Sequence, residues 1–152
     1  MIYVINADGK GWRCEEDNYT PITGETVAET EPLFTPTIQE LKDQKRAEIQ
    51  KEKCRVRDAG ALVDGVLFDT DSGARIAYLE LAMQIMQNPS YSTSWKASGN
   101  TWVTMDAALF DKVMVAGKAL LTSVFAWQAG KDIEIDAADT VGKVNAITAI
   151  YQ

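Results

Sequence analysis

The run from Thr35 to Ile76 constrains this chain more than any other stretch: a proline-opened charged segment, an Asp-Gly pair between apolar residues, then aspartates ahead of a second apolar run. Thr35 supplies a capping hydroxyl and Pro36 sits where the first helical N–H has no partner, so a helix is predicted from there. Thr37-Ile38-Gln39-Glu40 offers an alternative capping box slightly later. No breaker follows before Gly60, a suitable residue for a left-handed C-terminal cap; ~25 residues at ~1.5 Å each span ~37 Å. Asp43–Arg46, Glu48–Lys51 and Glu52–Arg55 are opposite charges at i,i+3, each contributing a few tenths of a kcal/mol. The apolar stripe is thin (Ile38, Leu41, Ile49, Val56, Ala59). Its best heptad phasing places Lys42, Lys45 and Glu52 among the seam positions, so no autonomous coiled coil is expected. A helix this polar is expected to project, or to lie along a partner by one narrow face.

Leu62-Val63-Asp64-Gly65-Val66-Leu67-Phe68 then reads as a hairpin, because Asp64-Gly65 tolerates the two positive φ angles of a type I′ turn. Asp69, Asp71 and Ser72 precede a helix ending at Asn88-Pro89, with Asp71 as its cap. Its apolar members (Ile76, Tyr78, Leu79, Leu81, Ala82, Met83, Ile85, Met86) surround most of the circumference, which predicts burial on more than one side. A second hairpin is expected from Tyr91–Ala97 and Thr101–Val103 around Ser98-Gly99-Asn100. Thr104 should cap a long helix to about Gly130, in which Gly117 suggests close approach of another backbone. Lys131–Asp136 breaks the pattern before a last helix over Ala137–Tyr151. Upstream, Met1–Ile5 and Trp12–Cys14 flank turn residues and form a small hairpin. Glu15–Pro32 is acidic, without periodicity, and reads as a linker. The expected architecture is α+β and mostly helical. It divides into an N-terminal hairpin and acidic linker (1–34), a charged helix (35–60), and a compact helical body with two short hairpins (61–152).

Function classes are narrowed chiefly by what is missing. The chain has no histidine, which removes Ser/His/Asp and Cys/His nucleophile systems and the commonest general base. Net charge is −7, so no basic face for general nucleic-acid binding is expected. Charge is uneven, with two basic and seven acidic groups in 1–34, seven and five in 35–59, and six and ten in 60–152. Cys14 and Cys54 match neither a disulfide framework nor a zinc site. No signal peptide or bilayer-length apolar run is read, so a soluble protein made in the cytoplasm and not inserted in a membrane is expected. Asp69-Thr70-Asp71-Ser72-Gly73 resembles half a calcium loop but lacks the later glutamate, and helix capping explains it better. Asp64, Asp69 and Asp71 could form a carboxylate pair as in glycoside hydrolysis, yet no aromatic cluster lies near them in sequence. A non-enzymatic protein without cofactor or metal is the expectation.

Pro36-Thr37-Ile38-Gln39-Glu40-Leu41-Lys42, Lys45-Arg46-Ala47-Glu48-Ile49, Asp64 through Asp71, Arg75-Ile76 and Trp102-Val103-Thr104-Met105 together resemble an uncharacterised helical domain of phage and prophage tail-fibre and fibre-assembly proteins. The resemblance covers Thr35–Tyr151, and the N-terminal region is similar, more loosely, to the start of tail-fibre assembly proteins. Cys54 and the tryptophans depart from it. These motifs are caps, turns and core positions, and identify no active site. The resemblance implies a virion component at the tail fibre or baseplate. It would be an adaptor bound to a larger fibre or baseplate protein, or alternatively a fibre-assembly chaperone; self-association stays open. A tail-associated carbohydrate-acting or cation-binding enzyme is the remote alternative. Expected interaction residues are Ile2, Tyr3, Trp12, Tyr19, Leu33 and Phe34 in the N-terminal arm, and Ile38, Leu41, Ile49 and Val56 on the charged helix. Trp95 and Trp102 read equally as an interface and as a pair packed across their hairpin. Thr35, Pro36, Gly60, Asp64, Gly65, Asp71 and Thr104 are expected as caps and turns.

Overall fold

A computed structural model describes residues 1–31 and 35–152 and divides into two compact units, Met1–Thr37 and Ile38–Gln152. The fold is α+β and about half helical. In the first unit, β1 (Ile2–Ile5) is central and pairs antiparallel with β2 (Trp12–Glu15) and β3 (Thr26–Ala28), in the order β2-β1-β3. The expected hairpin is present, but Glu15–Pro32 is not the structureless linker its composition predicts. Thr26–Ala28 pairs with Tyr3–Ile5, and a three-residue strand is too short to display a period of two.

In the second unit α1 spans Ile38–Arg57, so Thr35 and Pro36 lie before the helix. The boundary falls at Thr37, the first residue of the Thr37-x-x-Glu40 box. At the other end Gly60 takes φ +97°. Its N–H donates to Thr70 Oγ1 at 3.0 Å, and that hydroxyl donates to Arg57 O at 2.5 Å. One buried threonine thus ties the end of α1 to the segment after the first hairpin. Asp43–Arg46 and Glu52–Arg55 pair as expected, whereas Glu48 takes Lys45 at 2.7 Å in place of Lys51.

β4 (Ala61–Val63) and β5 (Val66–Phe68) form the first hairpin. Asp64 and Gly65 have φ +51° and +80°, the two positive angles of a type I′ turn. α2 (Ser72–Gln87) follows, and the Asp71 carboxylate accepts from Ala74 N at 2.8 Å. The second hairpin is β6 (Thr93–Lys96) and β7 (Trp102–Met105) around a 3₁₀ turn at Ser98–Asn100. Thr104 is not a helix cap, because it is a β7 residue opposite Ser94. Asp106 caps α3 by accepting from Leu109 N at 2.9 Å.

α3 runs from Ala107 to Ala137, through the polar stretch where a break was expected. Lys131 pairs with Glu134 one turn on at 2.8 Å, and Ile135 is fully buried, so the helix keeps an inward face there. A short α4 (Val141–Ala146), capped by Thr140, replaces the longer last helix read from the sequence.

Two apolar cores result. The first joins both hairpins, α2 and the N-terminal half of α3 through Phe68, Tyr78, Leu81, Met105, Phe110 and Val113. The second joins α1, the C-terminal half of α3 and α4 through Ile49, Ile135, Ala138, Val144 and Ile147. α1 therefore lies on its own chain and does not project from it.

Candidate functional site

The expected interaction residues fall into three groups, which differ in whether they remain available. In the first unit, Tyr3 and Trp12 meet edge to face, with ring centroids 5.1 Å apart and planes at 81°. Alternation along β1 puts Ile2 and Val4 on the opposite face from Tyr3 and Ile5, and Val4 is fully buried. Tyr19 is bound into a polar cluster. Arg13 donates to Glu15 at 2.7 Å, to Glu25 at 2.7 Å and to Tyr19 Oη at 2.6 Å, while Tyr19 Oη donates to Glu25 at 2.9 Å. The Arg13 guanidinium, then the Tyr19 hydroxyl and the Ile22 amide, hold the Glu25 carboxyl below its ordinary 4.5, at about 2. Glu25 in return raises the Arg13 and Tyr19 values. The cluster fastens the loop after β2 to the start of β3. Its sequence signal was one arginine among acids, which composition alone reads as solvated charge. Leu33 and Phe34 lie outside the described residues.

On α1, Ile49 and Val56 are buried within the chain, and Ile38 and Leu41 pack on the second core. Ile49 and Val56 cannot also present a docking face, so that expectation is corrected. The sequence rightly shows a narrow stripe, but α3 and α4 take it.

Trp95 and Trp102 do not pack on each other. Trp95 is opposite Val103 and Trp102 opposite Lys96, and period-two alternation sends the two indoles to opposite faces. Trp95 stacks on Tyr78 at 5.1 Å with planes 18° apart. The Tyr78 phenol is pushed up to about 12, chiefly by burial and then by the Asp69 charge. Trp102 is 65% exposed. Trp127 meets Tyr151 edge to face beside the second core.

The carboxylates weighed for chemistry have structural partners. Asp64 pairs with Lys112 at 2.7 Å, Asp69 accepts from the Ser98 hydroxyl, and Asp71 caps α2. Among the described residues no group of three His, Cys, Asp or Glu side chains could hold a metal ion. No described helix is long and apolar enough to cross a membrane.

What sequence reasoning missed is the outer side of α2. Among the described residues one side of that helix is buried, through Tyr78 and Leu81. Ile76, Leu79, Met83 and Met86 are 57–82% exposed. Beside them, between α2 and α3, runs an apolar groove of about 380 Å³ whose walls include Leu79, Met114, Gly117 and Leu121. A Cβ at Gly117 would meet nothing within 4 Å, so the close backbone approach expected there does not occur within the described residues. The signal was available in the 3-4-3 spacing of the four exposed residues.

No curated protein and no solved structure matches the chain significantly. Residues 40–149 match the family model described as a domain of unknown function, DUF4376, and the chain belongs to that family.

Proposed function

We propose that this protein is a non-enzymatic, virion-resident adaptor of a phage tail. In this reading its N-terminal sheet docks on a tail-fibre or baseplate protein and its DUF4376 body forms the remainder of the subunit. The observation that carries the reading is the bipartite build: a small open sheet precedes the family domain. In the order β2-β1-β3, the outer sides of β2 and β3 are edges, and an edge strand is a template for an added strand. The paired Tyr3 and Trp12 rings next to one edge are the residue types that anchor interfaces. A unit below ~40 residues rarely stabilises itself without a disulfide, metal or partner, and the Arg13–Glu25–Tyr19 cluster, with Arg13 partly exposed, adds only modestly to it. The phage setting rests on the resemblance of the Pro36–Asp71 motifs to tail-fibre proteins.

The test is quantitative mass spectrometry of purified particles, together with pull-downs using the full chain and a chain lacking residues 1–34. Stoichiometric presence in mature particles, with fibre or baseplate binding lost on deletion, supports the adaptor. Binding to fibres before assembly but absence from mature particles replaces it with the assembly chaperone. A deleted chain that co-purifies at full occupancy refutes docking through the sheet.

A further inference from the structure

The outer face of α2 is apolar in a particular pattern. Ile76, Leu79, Met83 and Met86 follow one another at intervals of three, four and three, the a and d spacing of a coiled-coil seam. Among the described residues of the second unit this seam has no cover, since α2 turns its other side to the first core. The exposed seam amounts to roughly 500 Å² of apolar surface, at the upper end of the patch an ordinary monomer leaves in water. The adjoining groove extends it toward, but not to, the ~800 Å² each partner contributes to a standard-size interface.

Charge selects what covers it. With Ile76 and Met83 at a and Leu79 and Met86 at d, the flanking g and e positions are Arg75 and Glu80. In a parallel pair a g residue faces the e residue five positions on in the other helix. Arg75 of one α2 would then meet Glu80 of another, and twofold symmetry repeats the contact. Lys118 joins Arg75 along the groove, on the g side of the seam, so that flank carries two cations and the other carries Glu80. Glu80 is exposed and without a partner among the described residues. Arg75 donates to Thr70 O at 3.2 Å and lies 3.7 Å from Asp58, both through Nη1, and a guanidinium has further donors. A face that is apolar along its centre, cationic on one flank and anionic on the other is complementary to itself. Ile at a with Leu at d in the first heptad favours two strands. Two heptads would not suffice for free peptides, but α2 is already held helical by the first core, so association does not bear the cost of forming the helix.

We propose that the occupant of this face is a second copy of the chain, with α2 packed parallel against α2 about a twofold axis and Arg75 of each copy paired with Glu80 of the other.

Sedimentation equilibrium of the full chain, from micromolar to millimolar concentration, is expected to give twice the chain mass. Leu79→Glu and Met86→Glu, both at solvent-exposed positions, should each raise the dissociation constant ~10-fold or more while leaving helical circular dichroism unchanged. Glu80→Arg should weaken association alone and restore it when mixed with a chain carrying Arg75→Glu. In a Cys14→Ser, Cys54→Ser background, Met83→Cys should oxidise to a covalent dimer, because parallel a positions face each other within disulfide reach. A wild-type chain that is monomeric throughout overturns the proposal and assigns the face to a protein of different sequence. A dimer indifferent to Leu79→Glu and Met86→Glu overturns it by placing the interface elsewhere. Cross-linking confined to mixtures of Leu79→Cys and Met83→Cys overturns the parallel arrangement.

Discussion

Replacing Thr70 by valine removes one oxygen and keeps the side chain's shape, so it isolates the polar tie between the end of α1 and the residues leading into α2. That oxygen accepts from Gly60 N at 3.0 Å and donates to Arg57 O at 2.5 Å, and the residue is buried. Valine would leave one backbone donor and one backbone acceptor without these partners. Each such group costs ~1–3 kcal/mol when desolvated. Both sit at a helix terminus that water reaches in part, so the expected total is ~2–3 kcal/mol. A Cβ built at Gly60 would lie 2.9 Å from Leu67 Cδ1 and from Phe68 O, so glycine is required at this end of the tie. For a unit the size of Ile38–Gln152, ~4 °C of melting temperature accompanies each kcal/mol. Thr70→Val should therefore melt ~8–12 °C below the parent. Thr70→Ser retains the hydroxyl and loses one methyl, which costs ~1 kcal/mol. Thermal unfolding followed by circular dichroism compares the two. A valine variant within ~2 °C of the parent, with serine falling further, would refute the hydroxyl's role and leave methyl packing as the source of stability.

Gly65→Val should destabilise the second unit by ~1–2 kcal/mol, because φ +80° is unfavourable for a β-branched residue even where the Cβ has open space; urea denaturation measures this, and an unchanged midpoint would count against the turn's importance. Asp106→Ala should cost ~1 kcal/mol by removing the acceptor for Leu109 N. Thr104→Ala loses no cap, and denaturation midpoints in the reverse order would contradict the assignment. In the first unit, Glu25 has a folded-state pKa below its unfolded one, so its stabilising contribution is complete above ~4.5 and lost as pH falls toward about 2. A carboxyl ¹³C titration should place Glu25 near the low end of that window, with the Trp12 environment loosening across it; titration at an ordinary carboxylate value would show that the Arg13 contact is not made in solution.

Features whose cause is local could be read from the sequence, and those decided by competition between neighbours could not. Asp64-Gly65 and Asp71 were legible because turn and cap chemistry needs only the residues present. Thr104 and Asp106 are both good caps two positions apart, and strand pairing with Ser94 settled between them. The helix begins at Ile38, two residues beyond Pro36, so the Thr35-Pro36 start signal did not set its boundary. Thr26–Ala28 carries too few residues to announce a strand. Lys131–Asp136 looked like a break because charge hides an inward Ile135. For the candidate site, the aromatic arm was visible as residue types, but its Arg13 cluster depends on chain folding between residues up to twelve positions apart. The all-round apolar character of α2 and the 3-4-3 spacing on it were legible; which side the described residues bury, through Tyr78 and Leu81, required the fold.

The 31 residues of α3 take part in two cores, Phe110 and Val113 in one and Ile135 in the other. A single hydrogen-bonded ladder thus runs between them, ~33 Å from Val113 to Ile135. Native-state amide exchange should consequently show one plateau along α3 between Phe110 and Ile135, at the global opening free energy of this unit. A continuous helix shared by both cores is expected to make them open together, and separate exchange plateaus at Phe110 and Ile135 would show that they open independently.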